Sequence, residues 1–201
     1  MSENIKIKVI IGSTRPGRFS ERPAQYIYEE LGKAPGVEVE LLDLRDYPMP
    51  FYDALVPPAR AAGKYDHPVV QRWADKIKEG DAFIVVTPEY NHGYPAVLKN
   101  AIDVLFPEWN YKVIGFVSYG NTGGSRAIEQ LVQVVVELRM VPIGKSINVP
   151  IDVYRKAMHE PSIENSEAFT QLRHGFRGDD IEVFFNALIK MGKSLRATHR
   201  E

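Results

Sequence analysis

Hydroxyl and guanidinium side chains crowd into residues 12–20, where a β-branched run gives way to a helix-like pattern. The segment reads Gly-Ser-Thr-Arg-Pro-Gly-Arg-Phe-Ser. When a loop joins a strand to a helix, the first N–H groups of the helix lack intrahelical acceptors and the helix dipole favours negative charge there. The guanidinium groups of Arg15 and Arg18 add donors suited to phosphate oxygens. This first loop is therefore predicted to bind a phosphate.

The glycine spacing of this loop resembles that of a nucleoside-triphosphate P-loop without its functional side chains. Arg18 stands in place of the lysine, and Phe19 stands in place of the Ser or Thr that holds magnesium. The spacing of Gly12 and Gly17 also differs from the Gly-x-Gly-x-x-Gly pattern of a dinucleotide loop. The alternative is an ordinary connection with surface arginines, which the density of polar side chains disfavours.

A second cluster, Thr-Pro-Glu-Tyr-Asn-His-Gly at residues 87–93, ends another apolar run. Its backbone amides and the Asn91 side chain suit the polar edges of a flat heteroaromatic ring, and Tyr90 offers a stacking face. The alternative is that Asn91 caps the next helix, which is compatible with contact between this loop and the ring. His92 is a secondary candidate, because a lone histidine is more often structural.

A third loop, at residues 120–124, carries little side-chain bulk. Gly120, Gly123 and Gly124 allow positive φ and close approach of the backbone to a ligand. Turn geometry alone would account for one of these glycines. The presence of three indicates close contact with a ligand.

The elements that must position these loops alternate between strand and helix patterns, which is typical of a doubly wound α/β fold. Strands are predicted at residues 5–11, 37–44, 81–87, 113–119 and 141–149. Helices are predicted at residues 24–33, 67–78, 95–105 and 125–139, with a last helix capped by Asp179 or Asp180 and running to residue 195. Irregular excursions are predicted at 48–63 and at 151–179, the latter partly helical near 166–172. A single domain spanning residues 1–201 is expected.

The three loops follow the first, third and fourth predicted strands. In a five-stranded parallel sheet of flavodoxin-like order 2-1-3-4-5, with helices on both faces, these strands are neighbours. Ligands of such sheets bind beyond the carboxyl ends of the strands. The sequence therefore predicts that the three loops form one site.

Composition narrows the classes of function. The 201 residues carry a formal net charge of −1, so bulk electrostatics do not favour nucleic acid or an anionic membrane. The absence of cysteine excludes disulfides, thiolate nucleophiles and cysteine-based metal sites. There is no signal-peptide pattern at the N-terminus and no apolar run of about 18 residues. A cytoplasmic protein without nucleic-acid or membrane partners is expected.

Together, the motifs Gly-Ser-Thr-Arg-Pro-Gly-Arg at 12–18, Thr-Pro-Glu-Tyr-Asn at 87–91 and Gly-x-x-Gly-Gly at 120–124 resemble the NADPH-dependent FMN reductase family. That family includes flavodoxin-like quinone, azo-dye and chromate reductases. The resemblance covers about the first 150 residues, and the Pro-Glu-Tyr-Asn segment is its most specific part. Many members have an asparagine near the position that Glu21 occupies here.

The resemblance implies FMN as cofactor and NADPH or NADH as co-substrate. It implies that the FMN phosphate and ribityl chain are held by Ser13, Arg15, Arg18, Phe19 and Ser20. It implies that the isoalloxazine is lined by Pro88, Glu89, Tyr90 and Asn91 and flanked by Tyr119, Gly120, Gly123 and Gly124. Because the cofactor carries the hydride, no catalytic side chain and no metal are expected.

The family also implies a small-molecule acceptor, such as a quinone, an azo compound, free flavin or an oxidised metal ion. A homodimer or homotetramer is implied, with the second loop and the helix after it near the subunit contact. The apolar stripe at 95–106 and Trp109 is compatible with such a contact, although a stripe of this kind more commonly forms core.

Two other functions remain open. A non-enzymatic electron carrier of the same fold is disfavoured by the net charge of −1, because flavodoxins are usually strongly acidic. A flavin-binding sensor is the other alternative. The sequence does not identify the physiological acceptor or the preference between NADPH and NADH.

Overall fold

A computed structural model of the chain describes residues 4–159 and 180–199. Five strands form one all-parallel sheet of order β2-β1-β3-β4-β5, which confirms the predicted fold class and strand order. The strands are β1 (Ile5–Ile11), β2 (Val37–Asp43), β3 (Ala82–Pro88), β4 (Val113–Tyr119) and β5 (Val141–Val149). Every residue of β3 and β4 is buried, as expected for central strands covered on both faces.

Helices cover both faces of the sheet. They are α1 (Glu21–Gly32), α2 (Pro68–Glu79), α3 (Ala96–Asp103), α4 (Ser125–Glu137), α5 (Ile151–His159) and α6 (Asp180–His199). Buried side chains of α1, α5 and α6 form one apolar cluster with the sheet, and those of α2, α3 and α4 form a second cluster on the opposite face. The sheet is therefore the middle layer of three, and its carboxyl edge is left to the loops.

Several helix boundaries differ from the predictions, and two of the differences have clear physical reasons. Helix α1 begins at Glu21 rather than at residue 24, because Pro23 lies in the first turn, where its missing N–H costs no hydrogen bond. Helix α4 ends at Glu137 rather than at residue 139, because Arg139 adopts a left-handed conformation with φ of 57°. The amide of Met140 then donates to the carbonyl of Val135 at 3.0 Å and closes the helix end.

The prediction of an irregular segment from residue 151 onward was wrong for its first part. Residues Ile151–His159 form helix α5, which buries Val153 and Ala157. The predicted helical piece near 166–172 and the proposed capping residue Asp179 lie outside the described residues.

Two other predictions concern the segment at 48–63 and the apolar stripe of α3. The excursion at 48–63 is irregular as predicted, apart from a short 3-10 turn at Pro58–Arg60. The apolar stripe of α3 is packed into the core of this chain, with Leu98 and Ile102 buried and Trp109 only 2% exposed. The stripe is therefore core, the more common of its two interpretations.

Candidate functional site

Direct hydrogen bonds hold the three loops together at the carboxyl edge of the sheet. The hydroxyl of Ser13 in the first loop lies 3.0 Å from the phenolic oxygen of Tyr90 in the second. The Glu89 carboxylate of the second loop accepts a hydrogen bond at 2.9 Å from Arg126, which follows the third loop. The prediction that the three loops meet is confirmed.

Within the described residues, the first loop presents several donors and one hydroxyl that make no well-formed hydrogen bond to the protein. Arg15 is exposed, and no described residue accepts a hydrogen bond from its guanidinium group. Within the described ranges, no acceptor contacts the amides of Thr14 and Gly17. Ser20 is fully buried at the start of α1, and among the described residues no group makes a well-formed hydrogen bond with its hydroxyl, which lies beside the Tyr119 phenol. A buried hydroxyl is costly to leave unpaired, so this cluster suits a polar ligand.

Arg18 occupies a different position from Arg15. Its side chain is fully buried, and its Nη groups contact the Ser13 carbonyl and both carboxylate oxygens of Asp43. Its Nε and Nη2 also contact Glu21 Oε1, at 2.9 and 2.7 Å. A guanidinium has five N–H groups, and four of them donate hydrogen bonds to the protein here, while Nη2 also forms an ion pair with Glu21. Arg18 therefore acts as a brace, a buried side chain that holds the first loop in place through Ser13, Asp43 and Glu21. This differs from the direct phosphate contact expected from the sequence.

Two residues that the sequence reasoning missed, Asp43 and Arg45, complete this brace. Arg45 donates to the carbonyl oxygens of Thr14 at 3.3 Å and Arg15 at 2.7 Å, and to Glu21 Oε1 at 2.8 Å. Both residues lie at the end of β2, next to β1 in the sheet. Their position in the fold, rather than any motif, brings them to the first loop.

The charges around the first loop leave it electropositive. Arg15, Arg18 and Arg45 carry three positive charges, against two negative charges on Glu21 and Asp43. Burial alone would raise the pKa of the Asp43 carboxyl, but hydrogen bonds from Arg18 and the Arg45 amide outweigh it and hold that pKa below its ordinary value. Asp43 therefore stays ionised at neutral pH, and one positive charge remains in excess.

The second loop is a tight two-residue turn. The amide of Tyr90 donates to Gly93 at 2.7 Å and that of Gly93 donates back at 3.0 Å, while Asn91 and His92 both have positive φ, of 51° and 69°. This geometry is that of a type I′ hairpin turn. Asn91 does not cap α3, because Pro95 occupies the N-cap position. Asn91 and His92 are instead exposed at the tip of the turn.

Glu89 joins the second loop to helix α4. Its side chain is 7% exposed and accepts hydrogen bonds from the backbone N–H of Arg126 at 3.2 Å and from its guanidinium at 2.9 Å. The carboxylate therefore caps the first turn of α4 while pairing with a cation. Gln130, one turn further along α4, donates to the His92 carbonyl at 3.0 Å. Together these bonds fix the second loop against α4.

The glycines of the third loop are required by packing within the protein. A Cβ at Gly124, where φ is 78°, would lie 2.6 Å from the Ser118 Cβ, and one at Gly123, where φ is 67°, would lie 3.1 Å from the Asn148 Cβ. The Gly123 carbonyl accepts from Ser118 Oγ at 2.7 Å and from Asn148 Nδ2 at 3.2 Å. The glycine pair is therefore needed to fold the loop, in addition to any contact it makes with a ligand.

Tyr119 supports the first loop from the end of β4. Its phenolic oxygen accepts a hydrogen bond from the Ser20 amide at 3.1 Å. Its ring stacks on Tyr154 of α5 at 5.5 Å and meets Phe19 edge-on at 4.9 Å. Burial raises the pKa of the Tyr119 phenol, so the group remains neutral near pH 7. Phe19, 1% exposed, and Tyr119, 5% exposed, thus form an aromatic support under the start of α1.

No group of three or more His, Cys, Asp or Glu side chains in residues 4–159 and 180–199 is arranged to hold a metal ion. No helix in the described part of the chain is both long and apolar enough to cross a membrane.

The chain is similar to known flavoenzymes. A sequence model of the NADPH-dependent FMN reductase family matches residues 5–153. An NAD(P)H-dependent FMN reductase of Schizosaccharomyces pombe is 34% identical over 181 residues, covering 89% of this chain and 90% of the relative. A quinone reductase of Escherichia coli K12 is 32% identical over 152 residues, covering 72% and 77%.

The fold has counterparts among solved structures. The flavoenzyme NAD(P)H:(acceptor) oxidoreductase FerB of Paracoccus denitrificans superposes with a TM-score of 0.66 at 20% identity. The match covers 94% of this chain and 98% of FerB, so the two share an overall fold.

Proposed function

The chain belongs to the NADPH-dependent FMN reductase family, and we propose that it binds FMN in the three-loop site and catalyses two-electron transfer from NAD(P)H to a quinone. The overall reaction converts NAD(P)H, a proton and the quinone to NAD(P)⁺ and the hydroquinone. The strongest support is the convergence of the three loops through the Ser13–Tyr90 and Glu89–Arg126 contacts. Two curated relatives are named for FMN reduction and quinone reduction.

The first loop fits the phosphate of FMN. Arg15 offers a guanidinium without a protein acceptor, and Thr14 and Gly17 offer amides in the same condition within the described residues. The buried hydroxyl of Ser20, which makes no well-formed hydrogen bond within the described residues, would gain an acceptor from a phosphate or ribityl oxygen. The excess positive charge around this loop adds an attraction that a neutral ligand would not feel.

The second and third loops fit the ring of FMN. The Tyr90 side chain is 38% exposed and offers an aromatic face, while Asn91 offers an amide at the tip of the turn. Pro88, Glu89 and the backbone of 120–124 would form the remaining walls. FMN bound there would supply the redox chemistry, namely two-electron transfer from NAD(P)H to the second substrate. The residues of the chain bind and orient the ring.

Three residues that the sequence predicted to contact FMN are proposed instead to stabilise the first loop and the start of α1. Arg18 uses its Nε and both Nη groups to hold the Ser13 carbonyl, Asp43 and Glu21. Phe19 and Tyr119 pack against each other, and Tyr119 accepts the Ser20 amide. These side chains keep the first loop and the start of α1 in a conformation that presents Arg15 and Ser20 to the phosphate.

Steady-state oxidation of NADPH and NADH by the FMN-loaded protein, with and without a quinone, tests the proposed activity. Catalytic turnover that depends on the quinone is expected. Reduction of the flavin without multiple turnovers of quinone, azo dye or free flavin would instead support the electron carrier or the sensor. An assembly of two or four copies belongs to the same proposal, and sedimentation velocity measures it.

A further inference from the structure

An open groove lies outside the three-loop site, beneath the excursion that links β2 to α2. Residues 50–68 fold back to form one wall, and Val70 of α2 and Val104 after α3 contribute to the other. Its volume is about 850 Å³. This is within the range of small-molecule sites, roughly 300–1,000 Å³.

The lining of the groove is mainly apolar and aromatic. Leu55 is fully exposed, Phe51 is 78% exposed and Val56 is 52% exposed. Contiguous exposed apolar side chains of this kind mark a surface that contacts a ligand or a partner. The charges balance, with two cations and two anions among the lining residues Arg60, Lys64, Asp53 and Asp66. A neutral apolar ligand therefore fits the groove better than a phosphate-bearing nucleotide.

Asn100 of α3 connects the groove to the second loop. Its side-chain oxygen accepts from the Tyr52 amide at 2.9 Å, and its side-chain nitrogen donates to the Pro50 carbonyl at 2.7 Å. Helix α3 begins at Ala96, directly after the second loop. At a rise of about 1.5 Å per residue, Asn100 lies about 6 Å along the axis from that start and Val104 about 12 Å. Pro50 and Tyr52 line the groove, so their bonds to Asn100 place one end of it about one helical turn from the start of α3, and Val104 lines it further along.

Tyr65, in the wall formed by residues 50–68, is hydrogen-bonded to neighbouring parts of the protein. The Tyr65 hydroxyl donates to the Glu108 carboxylate at 2.8 Å, and the Tyr65 amide donates to the Gln71 side chain at 3.0 Å. Glu108 is 6% exposed, so this hydrogen bond lies in a largely water-free environment. These contacts hold Tyr65 in place in the groove wall.

We propose that this groove binds the apolar chain of an alkylated or prenylated quinone whose ring reacts at the three-loop site. This inference rests on the proposed quinone reductase activity and adds a substrate class to it. A quinone without such a chain would reach the reacting position without filling the groove. Selectivity for long-chain over chain-free quinones would then depend on the apolar lining.

The test compares a decyl-substituted benzoquinone with the same quinone lacking the chain, in steady-state assays of the FMN-loaded protein with NADPH. We expect the KM for the decyl quinone to be at least tenfold lower in the wild type. Leu55→Asp should reduce the ratio of the two KM values by about tenfold, equivalent to losing the burial of about two methylene groups. Val136→Asp is the matched control, since Val136 is 56% exposed on α4 and lies outside the groove. It should leave the ratio unchanged.

Equal KM values for the two quinones, or a ratio that Leu55→Asp leaves intact, would overturn the groove assignment. So would conversion of a larger assembly to monomers by Leu55→Asp with no change in the ratio, which would make the groove a contact between copies of the chain. If the wild type turns over neither quinone, the proposed function fails. Equilibrium binding of the decyl quinone to wild type and Leu55→Asp then decides the groove separately, and equal binding would exclude it.

Discussion

The phenolic oxygen of Tyr90 lies 3.0 Å from the hydroxyl of Ser13, and this contact joins the loop proposed to hold the FMN phosphate to the loop proposed to face its ring. Ser13 is 1% exposed, whereas Tyr90 is 38% exposed. One end of the Tyr90 side chain is therefore fixed inside the protein while its ring face stays accessible. The arrangement fixes the relative position of the two parts of the site.

Removing only the phenolic hydroxyl of Tyr90 should weaken FMN binding modestly. Tyr90→Phe loses one hydrogen bond, worth about 0.5–1.5 kcal/mol, and keeps the aromatic face. The dissociation constant of FMN should rise about two- to tenfold, and Tyr90→Ala should raise it further. Fluorescence titration measures both, and equal effects of the two substitutions would contradict a stacking function for the ring.

Arg18→Lys should destabilise the protein even before FMN is added. A lysine has three N–H donors and cannot reproduce the bidentate contact with Asp43, so buried acceptors lose their partners. We expect the free energy of unfolding in urea to fall by about 3 kcal/mol. Arg15→Lys is the control and should change it by less than about 0.5 kcal/mol, because Arg15 is exposed. Similar losses of unfolding free energy for both substitutions would contradict a structural function for Arg18 and a ligand-binding function for Arg15.

The stabilising effect of Asp43 should disappear in acid. Its pKa is lowered in the folded protein, so its contribution is complete above the unfolded value of about 3.9 and is lost as the pH falls through the folded value. Asp43→Asn should therefore be less stable than the wild type at pH 7, by about 2 kcal/mol. The difference should shrink as the pH falls below about 4. Urea unfolding between pH 3 and 7 measures it, and a difference independent of pH would refute this prediction.

The contact between Glu89 and Arg126 should set how long FMN stays bound. Glu89→Gln removes the charge that pairs with Arg126 and caps α4, so the second and third loops should separate more readily. We expect FMN to dissociate about tenfold faster in stopped-flow displacement, corresponding to about 1.4 kcal/mol. Glu129→Gln, at an exposed position on the same helix, is the control. An unchanged rate in Glu89→Gln would show that the two loops are held by other contacts.

The fold was largely predictable because the β-branched runs and their glycine and proline boundaries coincide with the strands. Residues 5–11, 113–119 and 141–149 were predicted with the bounds of β1, β4 and β5. The convergence of the three loops followed from strand order alone. Helix α5 was missed because its buried side chains, among them Val153 and Ala157, form too short a pattern in a polar segment.

The inner contacts of the site were not predictable from local patterns. Asp43 and Arg45 reach the first loop across the sheet, about 30 residues away in sequence, so no motif contains them. The two arginines of the first loop looked equivalent in the sequence. Only the fold separates buried Arg18 from exposed Arg15. Likewise, packing against Ser118 and Asn148 explains Gly124 and Gly123, where the sequence attributed one glycine of the loop to turn geometry and the presence of three to ligand contact.

The first loop is proposed to bind the phosphate of FMN, and a comparison of FMN with riboflavin is the sharpest test of that binding. Riboflavin has the same ring and ribityl chain without the phosphate. We predict that FMN binds at least 100-fold more tightly, and that Arg15→Ala weakens FMN binding about 10- to 100-fold, as expected for lost charge-assisted hydrogen bonds. Riboflavin binding should be unaffected by Arg15→Ala. Equal affinities for FMN and riboflavin, or an FMN affinity that Arg15→Ala leaves unchanged, would contradict the account.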